Sequence, residues 1–382
     1  MQDITVVVGG SIGADPYNPH TWSGSSRGFL DALKAKGLLK EAIGLRLDFT
    51  RYATLAARNF KLNRNLWRRY LFQDPAYRGG LTAALGRIPL KSRFSLQLGH
   101  WYSAKEAWPD HPCLSYHDGN LAVSLTSEFG WEGVSQKRID EAFAFEKKTA
   151  NQMDAVLTMS EYLRRSFIDD YHVPAERVYN VGGGMNIDIT ETVAEKDYNS
   201  PRMLFIGVDF ERKGGKLLLE AFKIVRKSVP SAELHVVGPA ALGPLPQGVV
   251  FHGRLSKSNA SEKARLEDLF RQCSVFVLPS LYEPFGIAPL EAMFHRIPCI
   301  LTNDWAFQEF VVPGYNGELV AKGSVDELVE AMKKLLSAPS SLSRMGDNAR
   351  KHVLERYTWP VVADRIAEVI SSLDLGRSRS TL

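Results

Sequence analysis

The chain has 382 residues, of which 45% are hydrophobic and 24% charged, and a formal net charge of +4. These are the proportions of an ordinary globular protein long enough for two cores. They exclude a disordered or fibrous chain, and near-neutrality gives no electrostatic reason for a nucleic-acid partner. Three cysteines, Cys113, Cys273 and Cys299, lie far apart without metal-ligand spacing, so buried reduced thiols and a cytosolic location are expected. No apolar run approaches the ~20 residues that span a bilayer. The opening residues to Gly10 read as a first strand rather than a signal peptide.

Short β-branched runs alternate with longer helical patterns, which predicts an α/β protein with parallel sheets. Strands are expected at 4–8, 94–98, 113–116, 155–159 and 178–181, and helices at 24–36, 52–72, 136–152 and 161–169. A polar stretch without periodicity follows. It reads as a linker, 186–201, between a first domain, 1–185, and a second, 202–356. The second set runs strand 203–206, helix 216–227, strand 233–237, helix 262–272, strand 274–278, helix 287–294 and strand 298–302. Helices follow at 325–335, 341–355 and 359–373, and the polar tail from Gly376 is expected to fray.

The most informative stretch starts at Ser280, after the apolar run 273–278. Glu283 and Glu291 are separated by seven residues across a Phe285-Gly286 turn that opens the predicted helix at Ile287. A turn at the carboxyl end of a parallel strand is where open α/β sheets bind ligands. Gly286 lets backbone approach a phosphate, and the N–H groups of Gly286 and Ile287 lie at the positive end of the helix. Carboxylates accept paired hydrogen bonds from vicinal hydroxyls, so the pair suits a sugar and a ribose. A second strand-to-helix passage, Gly207 to Gly215, carries Arg212 and Lys213 beside the glycine pair Gly214-Gly215. Cations and close backbone suit a diphosphate, although a solvated basic pair closing a loop would read the same way.

With these residues the chain resembles glycosyltransferase family 4, retaining enzymes of the GT-B fold that use nucleotide-activated sugars. Further motifs that fit are Trp22-Ser23-Gly24-Ser25, Pro313 to Val320 with Asn316-Gly317-Glu318, and Tyr357-Thr358-Trp359. The resemblance is specific from about Arg202 to Leu373 and weaker in the first half. It implies two Rossmann-like doubly wound domains facing each other across a cleft, with a last helix, 357–382, crossing back to the first domain. Acceptor recognition would fall to the first half and donor binding to the second. By the same resemblance Glu291 would hold ribose hydroxyls and Glu283 a hydroxyl of the transferred sugar. Phe285, Gly286 and Ile287 would present backbone to sugar and phosphates, Arg212 and Lys213 would neutralise the diphosphate, and Gly24 would meet that diphosphate from the first domain. The family often has Arg directly after the strand-ending glycine, where this chain has Val208; Arg212 would supply the missing cation.

His117, at the end of a predicted strand, is assigned by the resemblance to the donor sugar, with Asp118 either orienting its ring or capping the next helix. Cleavage of an anomeric phosphate bond builds negative charge on the leaving group, which fixed cations and a helix N-terminus stabilise. The sequence has no Asp-x-Asp element, so metal-independent transfer without a cofactor is expected, the nucleotide-sugar being a substrate. The expected reaction is transfer from a UDP-sugar, or a GDP-sugar as second candidate, to a glycan or lipid-linked acceptor in cell-envelope or exopolysaccharide synthesis. A nucleotide-sugar epimerase on the same fold and a carbohydrate- or nucleotide-binding protein without turnover are the alternatives.

Between Arg51 and Leu71 basic residues interleave with apolar ones. At helical spacing Leu55, Leu62, Leu66 and Tyr70 share one side, and Arg58, Lys61, Arg64 and Arg68 another. Such a helix either packs on the first sheet with its basic face in water or lies on an anionic membrane surface. Exposure of Leu66, Trp67 and Tyr70 would favour the membrane, and burial of the aromatics would remove that argument.

Overall fold

The computed structural model describes residues 3–191, 193, 195–238 and 243–380. It divides into two compact units, Met1–Gly184 with Trp359–Leu382, and Met185–Thr358. Among the described residues no helix is long and apolar enough to cross a membrane. All three cysteines are buried and none is in a disulfide.

The first unit is built on six parallel strands: β1 (Ile4–Gly9), β2 (Leu39–Leu45), β3 (Phe94–Leu98), β4 (Cys113–His117), β5 (Ala155–Thr158) and β6 (Val178–Asn180). Their order is β2-β1-β3-β4-β5-β6. Strands β1, β3, β4 and β5 are buried along their whole length, as expected where helices cover both faces of a parallel sheet. The order reverses between β1 and β3, which places a switch point at their carboxyl ends. The helix Trp359–Ser380 packs on the helix Ser25–Ala35 in this unit. The Trp359 ring lies against Phe29, with ring centroids 5.7 Å apart, and any Cβ on Gly28 or Gly184 would come within 2.7 or 2.4 Å of it. Contrary to the expected fraying after Gly376, this helix continues to Ser380.

The predicted helix 52–72 is in fact two, Phe49–Arg58 and Arg64–Phe72. Asp48 caps the first, and the Asn63 side chain accepts from the N–H groups of Asn65 and Leu66 to start the second. A third helix, Pro75–Leu85, starts on the Asp74 cap with proline at its first position.

The second unit contains β7 (Arg202–Ile206), β8 (Glu233–Val237), β9 (Val249–Gly253), β10 (Val275–Leu278), β11 (Cys299–Thr302) and β12 (Gly317–Val320). They are parallel in the order β12-β11-β10-β7-β8-β9. The chain runs outward from β7 through β9 and returns to lay β10 on the other side of β7, so this sheet switches between β7 and β10. Residues 186–201, read as a linker, are tied to the second unit: Lys196 Nζ donates to the Phe270 carbonyl, and Tyr198 Oη donates to the Arg296 carbonyl at 2.7 Å.

Candidate donor site of the second unit

Two loops leave the β7/β10 switch point, one carrying Arg212 and Lys213, the other Glu283 to Ile287. They are stitched together by hydrogen bonds to backbone carbonyls. The N–H of Leu281 donates to the Arg212 carbonyl at 2.8 Å, and Arg212 Nη1 donates to the Tyr282 carbonyl at 2.6 Å. Gly214 has φ +74°, and a Cβ there would lie 1.9 Å from the Pro279 carbonyl oxygen, so only glycine permits this approach. The sequence-predicted residues are thereby gathered. Lys213 Nζ pairs with Glu283 Oε2, and Arg212 Nη1 lies 3.5 Å from the same oxygen. Burial pushes the Glu283 carboxyl up, but Lys213 and Arg212 outweigh it and hold the group below its ordinary value.

Both following helices, Gly215–Ser228 and Ile287–Phe294, begin on a positive-φ glycine, Gly214 and Gly286, with no side-chain cap. Elsewhere Asp48, Asn63, Asp74, Ser103, Asn120, Ser160, Asn259 and Ser324 cap helices with their side chains. An uncapped first turn keeps its N–H groups available to an anion. Phe285 is buried against Phe310, 5.1 Å between centroids, which fixes the turn from below. Glu291 is buried in the second turn of its helix, and Lys257, from the loop after β9, pairs with its Oε1. Sequence reasoning missed Lys257, because nothing in its local pattern links it to a residue 34 positions away.

In the first unit, Gly24 is the left-handed N-cap of the helix Ser25–Ala35, also without a side-chain cap. Trp22 and Ser23 before it both have positive φ, 49° and 55°. Backbone strain of this kind persists only where packing enforces it. Here the buried Trp22 ring is held against Tyr116, Phe29 and Trp359.

His117 ends β4 and is buried, with neither ring nitrogen hydrogen-bonded. Asp118 therefore does not orient the ring through a hydrogen bond, and Asn120, not Asp118, caps the next helix, its side chain accepting from Val123 N at 2.8 Å. Ring contacts hold it: His100, on the loop after β3, stacks near-parallel at 5.8 Å, and Phe167 packs tilted by 49° at 4.8 Å. His100 Nε2 is 3.0 Å from Glu146 Oε2, while Glu146 Oε1 accepts from Tyr171 Oη at 2.9 Å and Leu121 N at 3.1 Å. No diagnostic spacing announces this pair, since its members sit on a loop and a distant helix.

Burial, with the neighbouring His100, pushes the His117 pKa well below its ordinary 6.5. A group kept neutral in the folded state binds its proton only on unfolding, so its contribution is full above pH 6.5 and is lost as pH falls below that. Thermal unfolding from pH 7.5 to pH 5.5 should accordingly cost the native protein more than a His117→Gln variant. Equal losses would mean that this imidazole does not titrate as its burial requires.

Among the described residues no group of three or more His, Cys, Asp or Glu side chains is placed to hold a metal ion.

Residues 187–352 match the family described as Glycosyl transferases group 1. The matched residues fall within the second unit, Met185–Thr358. Among relatives of the whole chain, the MMP alpha-(1->4)-mannosyltransferase of Mycolicibacterium hassiacum is 29% identical over 255 residues, 65% of this chain and 61% of that protein. The chain spans 52 to 65% of the length of the first curated relatives it matches. Two solved structures align over nearly the full length. Sucrose-phosphate synthase from Thermosynechococcus elongatus gives a TM-score of 0.72 at 18% identity, covering 98% of this chain and 100% of that one. Anabaena HepE in complex with UDP-glucose gives 0.65 at 17%, covering 97% and 100%. At that identity the likeness speaks to the fold, which is GT-B, two Rossmann-like units. Within the matched residues lie Arg212, Lys213, Lys257, Glu283 and Glu291.

Proposed function

We propose that the chain is a retaining, metal-independent glycosyltransferase of family 4. In this reading it moves a sugar from a nucleoside-diphosphate donor, UDP-linked in first preference and GDP-linked in second, to a glycan or lipid-linked acceptor of the cell envelope or an exopolysaccharide. The observation that carries the reading is the convergence of Arg212, Lys213 and Glu283 on two glycine-capped helix starts at one switch point. The glycosyl transferases group 1 match and a structural neighbour solved with UDP-glucose support it.

In this mechanism the diphosphate lies over the first turns of the helices at Gly215 and Ile287, and Arg212 and Lys213 take the charge that builds on the departing phosphate. Glu283 has two duties: it fixes both cations beforehand and accepts a sugar hydroxyl. Glu291 accepts the ribose diol, with Phe285, Gly286 and Ile287 offering backbone. For the first unit we assign His117 to sugar recognition and the helix start at Gly24 to phosphate contact. The cations supply the electrophilic stabilisation that a divalent ion gives other transferases, so activity should survive EDTA.

A thermal-shift series with UDP- and GDP-sugars in EDTA tests the donor assignment. One nucleotide class should raise the melting temperature by about 5 °C at a hundredfold excess over its Kd. Glu291→Ala should lose that shift. Indifference to every nucleotide would remove the transferase reading.

A further inference from the structure

The membrane expectation rested on Leu66, Trp67 and Tyr70, and none of these is exposed: all three are half-buried, Trp67 Nε1 donates to the Ala56 carbonyl at 2.9 Å, and Tyr70 Oη accepts from Ser135 N at 3.0 Å. The apolar surface of this region lies elsewhere. On the tip between the helices Phe49–Arg58 and Arg64–Phe72, Phe60 is 62% exposed and Leu62 96%, and Phe49, at the start of the first helix, is 84% exposed.

The tip is not a loose loop whose side chains failed to find a core. Asn59, just before it, is buried and donates to the Leu55 carbonyl at 2.9 Å and to Asp74 Oδ2 at 2.8 Å, while Arg58 pairs with the same carboxylate. Asn63, just after it, is engaged as a helix cap. Phe60 and Leu62 are therefore held outward by anchors on both sides. On the same stretch of chain Arg51, Lys61, Arg64 and Arg68 are all exposed. Between residues 46 and 73 there are seven basic residues against Asp48 alone, on a chain whose total charge is only +4.

We propose that this tip is the site by which the protein docks on an anionic phospholipid bilayer, Phe60 and Leu62 entering the interface and the exposed cations of the same stretch meeting phosphate headgroups. A polyanion in solution would be satisfied by the cations and would gain nothing from a rigidly presented Phe and Leu. An apolar protein groove would take the two side chains but would have no use for the exposed cations of the same stretch. A surface that is anionic at its face and apolar just beneath matches both. The assignment goes beyond the donor chemistry and places the catalyst where a lipid-linked acceptor is available.

The test is sedimentation of the full chain with vesicles of phosphatidylcholine alone and of phosphatidylcholine with 30 mol% phosphatidylglycerol, at low and high salt. Binding is expected only to the anionic vesicles, weakened by salt. Phe60→Ser with Leu62→Ser should lower the partition coefficient by about tenfold for each side chain while leaving the melting temperature unchanged, because both are exposed. Arg64→Gln with Arg68→Gln should remove the preference for the anionic lipid. Absence of binding, or binding that ignores the serine substitutions, overturns the proposal. So does a concentration-dependent dimer of the native protein that the serine variant lacks, which would assign the tip to a second copy. Sedimentation reads no sugar transfer, so its outcome is independent of the donor assignment.

Discussion

Lys213→Met and Glu283→Gln, made singly, should each lower kcat/KM for the nucleotide-sugar by about 10²–10³, and the double variant should be no better. Stability should behave differently. Both side chains are mostly buried, 15% and 13% exposed, so removing one leaves the other charged group poorly compensated. Severing a buried pair costs roughly 3–5 kcal/mol, but Arg212 remains 3.5 Å from Glu283, so about 2 kcal/mol is expected for Lys213→Met. Neutralising both partners removes the uncompensated charge, and the double variant should return to within about 1 kcal/mol of the native protein. Melting curves and steady-state rates on the same four proteins separate the two roles. A pair that only held the loops together would let the double variant recover turnover with stability. A pair that handles the leaving phosphate and the sugar keeps the rate low, at the magnitude seen when one preorganised charge-stabilising group is lost. Recovery of rate would exclude the catalytic assignment.

The second large effect is expected at Gly214. Alanine there meets two penalties, a left-handed φ of +74° and a Cβ placed 1.9 Å from the Pro279 carbonyl oxygen. Neither obstacle is a flexible side chain. Moving Pro279 would pull apart the two loops joined by the Leu281 N–H to Arg212 bond, and moving Gly214 would displace the start of a 14-residue helix. Together these should cost about 3–5 kcal/mol. Gly323 supplies the comparison, with nearly the same φ, +78°, in the same unit, and nothing within 4 Å of its Cβ position. Gly323→Ala should lose only the conformational share, about 1–2 kcal/mol. Denaturant unfolding of the two variants distinguishes close approach from backbone preference. Equal losses would show that the contact with Pro279 relaxes freely.

The interior of both sheets was legible because a strand buried on two faces is written as an unbroken apolar run, as in Val275–Leu278. The strands that escaped were β2, β9 and β12, and all three are sheet edges. β2 reads Leu-Lys-Glu-Ala-Ile-Gly-Leu and is half-exposed along most of its length, so no apolar run marks it. The break between the two basic helices carried a signal, Asn63 as a cap, but continuous amphipathic periodicity outweighed it. At the site, Arg212, Lys213, Glu283 and Glu291 were found because each lies in a short motif at a strand end. Lys257, His100 and Glu146 were not, because their partners come from loops and helices that only folding brings near. The exposed Phe60 and Leu62 were likewise illegible: an apolar residue in a sequence says nothing of whether a core remains for it to join.

The first unit is sewn from two separate stretches of chain, with Trp359 seated over Gly28 and Gly184, whereas the second is a single uninterrupted stretch. During synthesis the last piece of the first unit therefore emerges only after the whole of the second. The second unit is complete at Thr358, while the unit translated first, with all its strands made by Asn180, still waits for the segment that begins at Trp359. Until that segment emerges, Phe29 and Trp22 lack the aromatic lid that covers them. A nascent chain stalled after the second unit would present an open hydrophobic face, the kind of surface that chaperones bind.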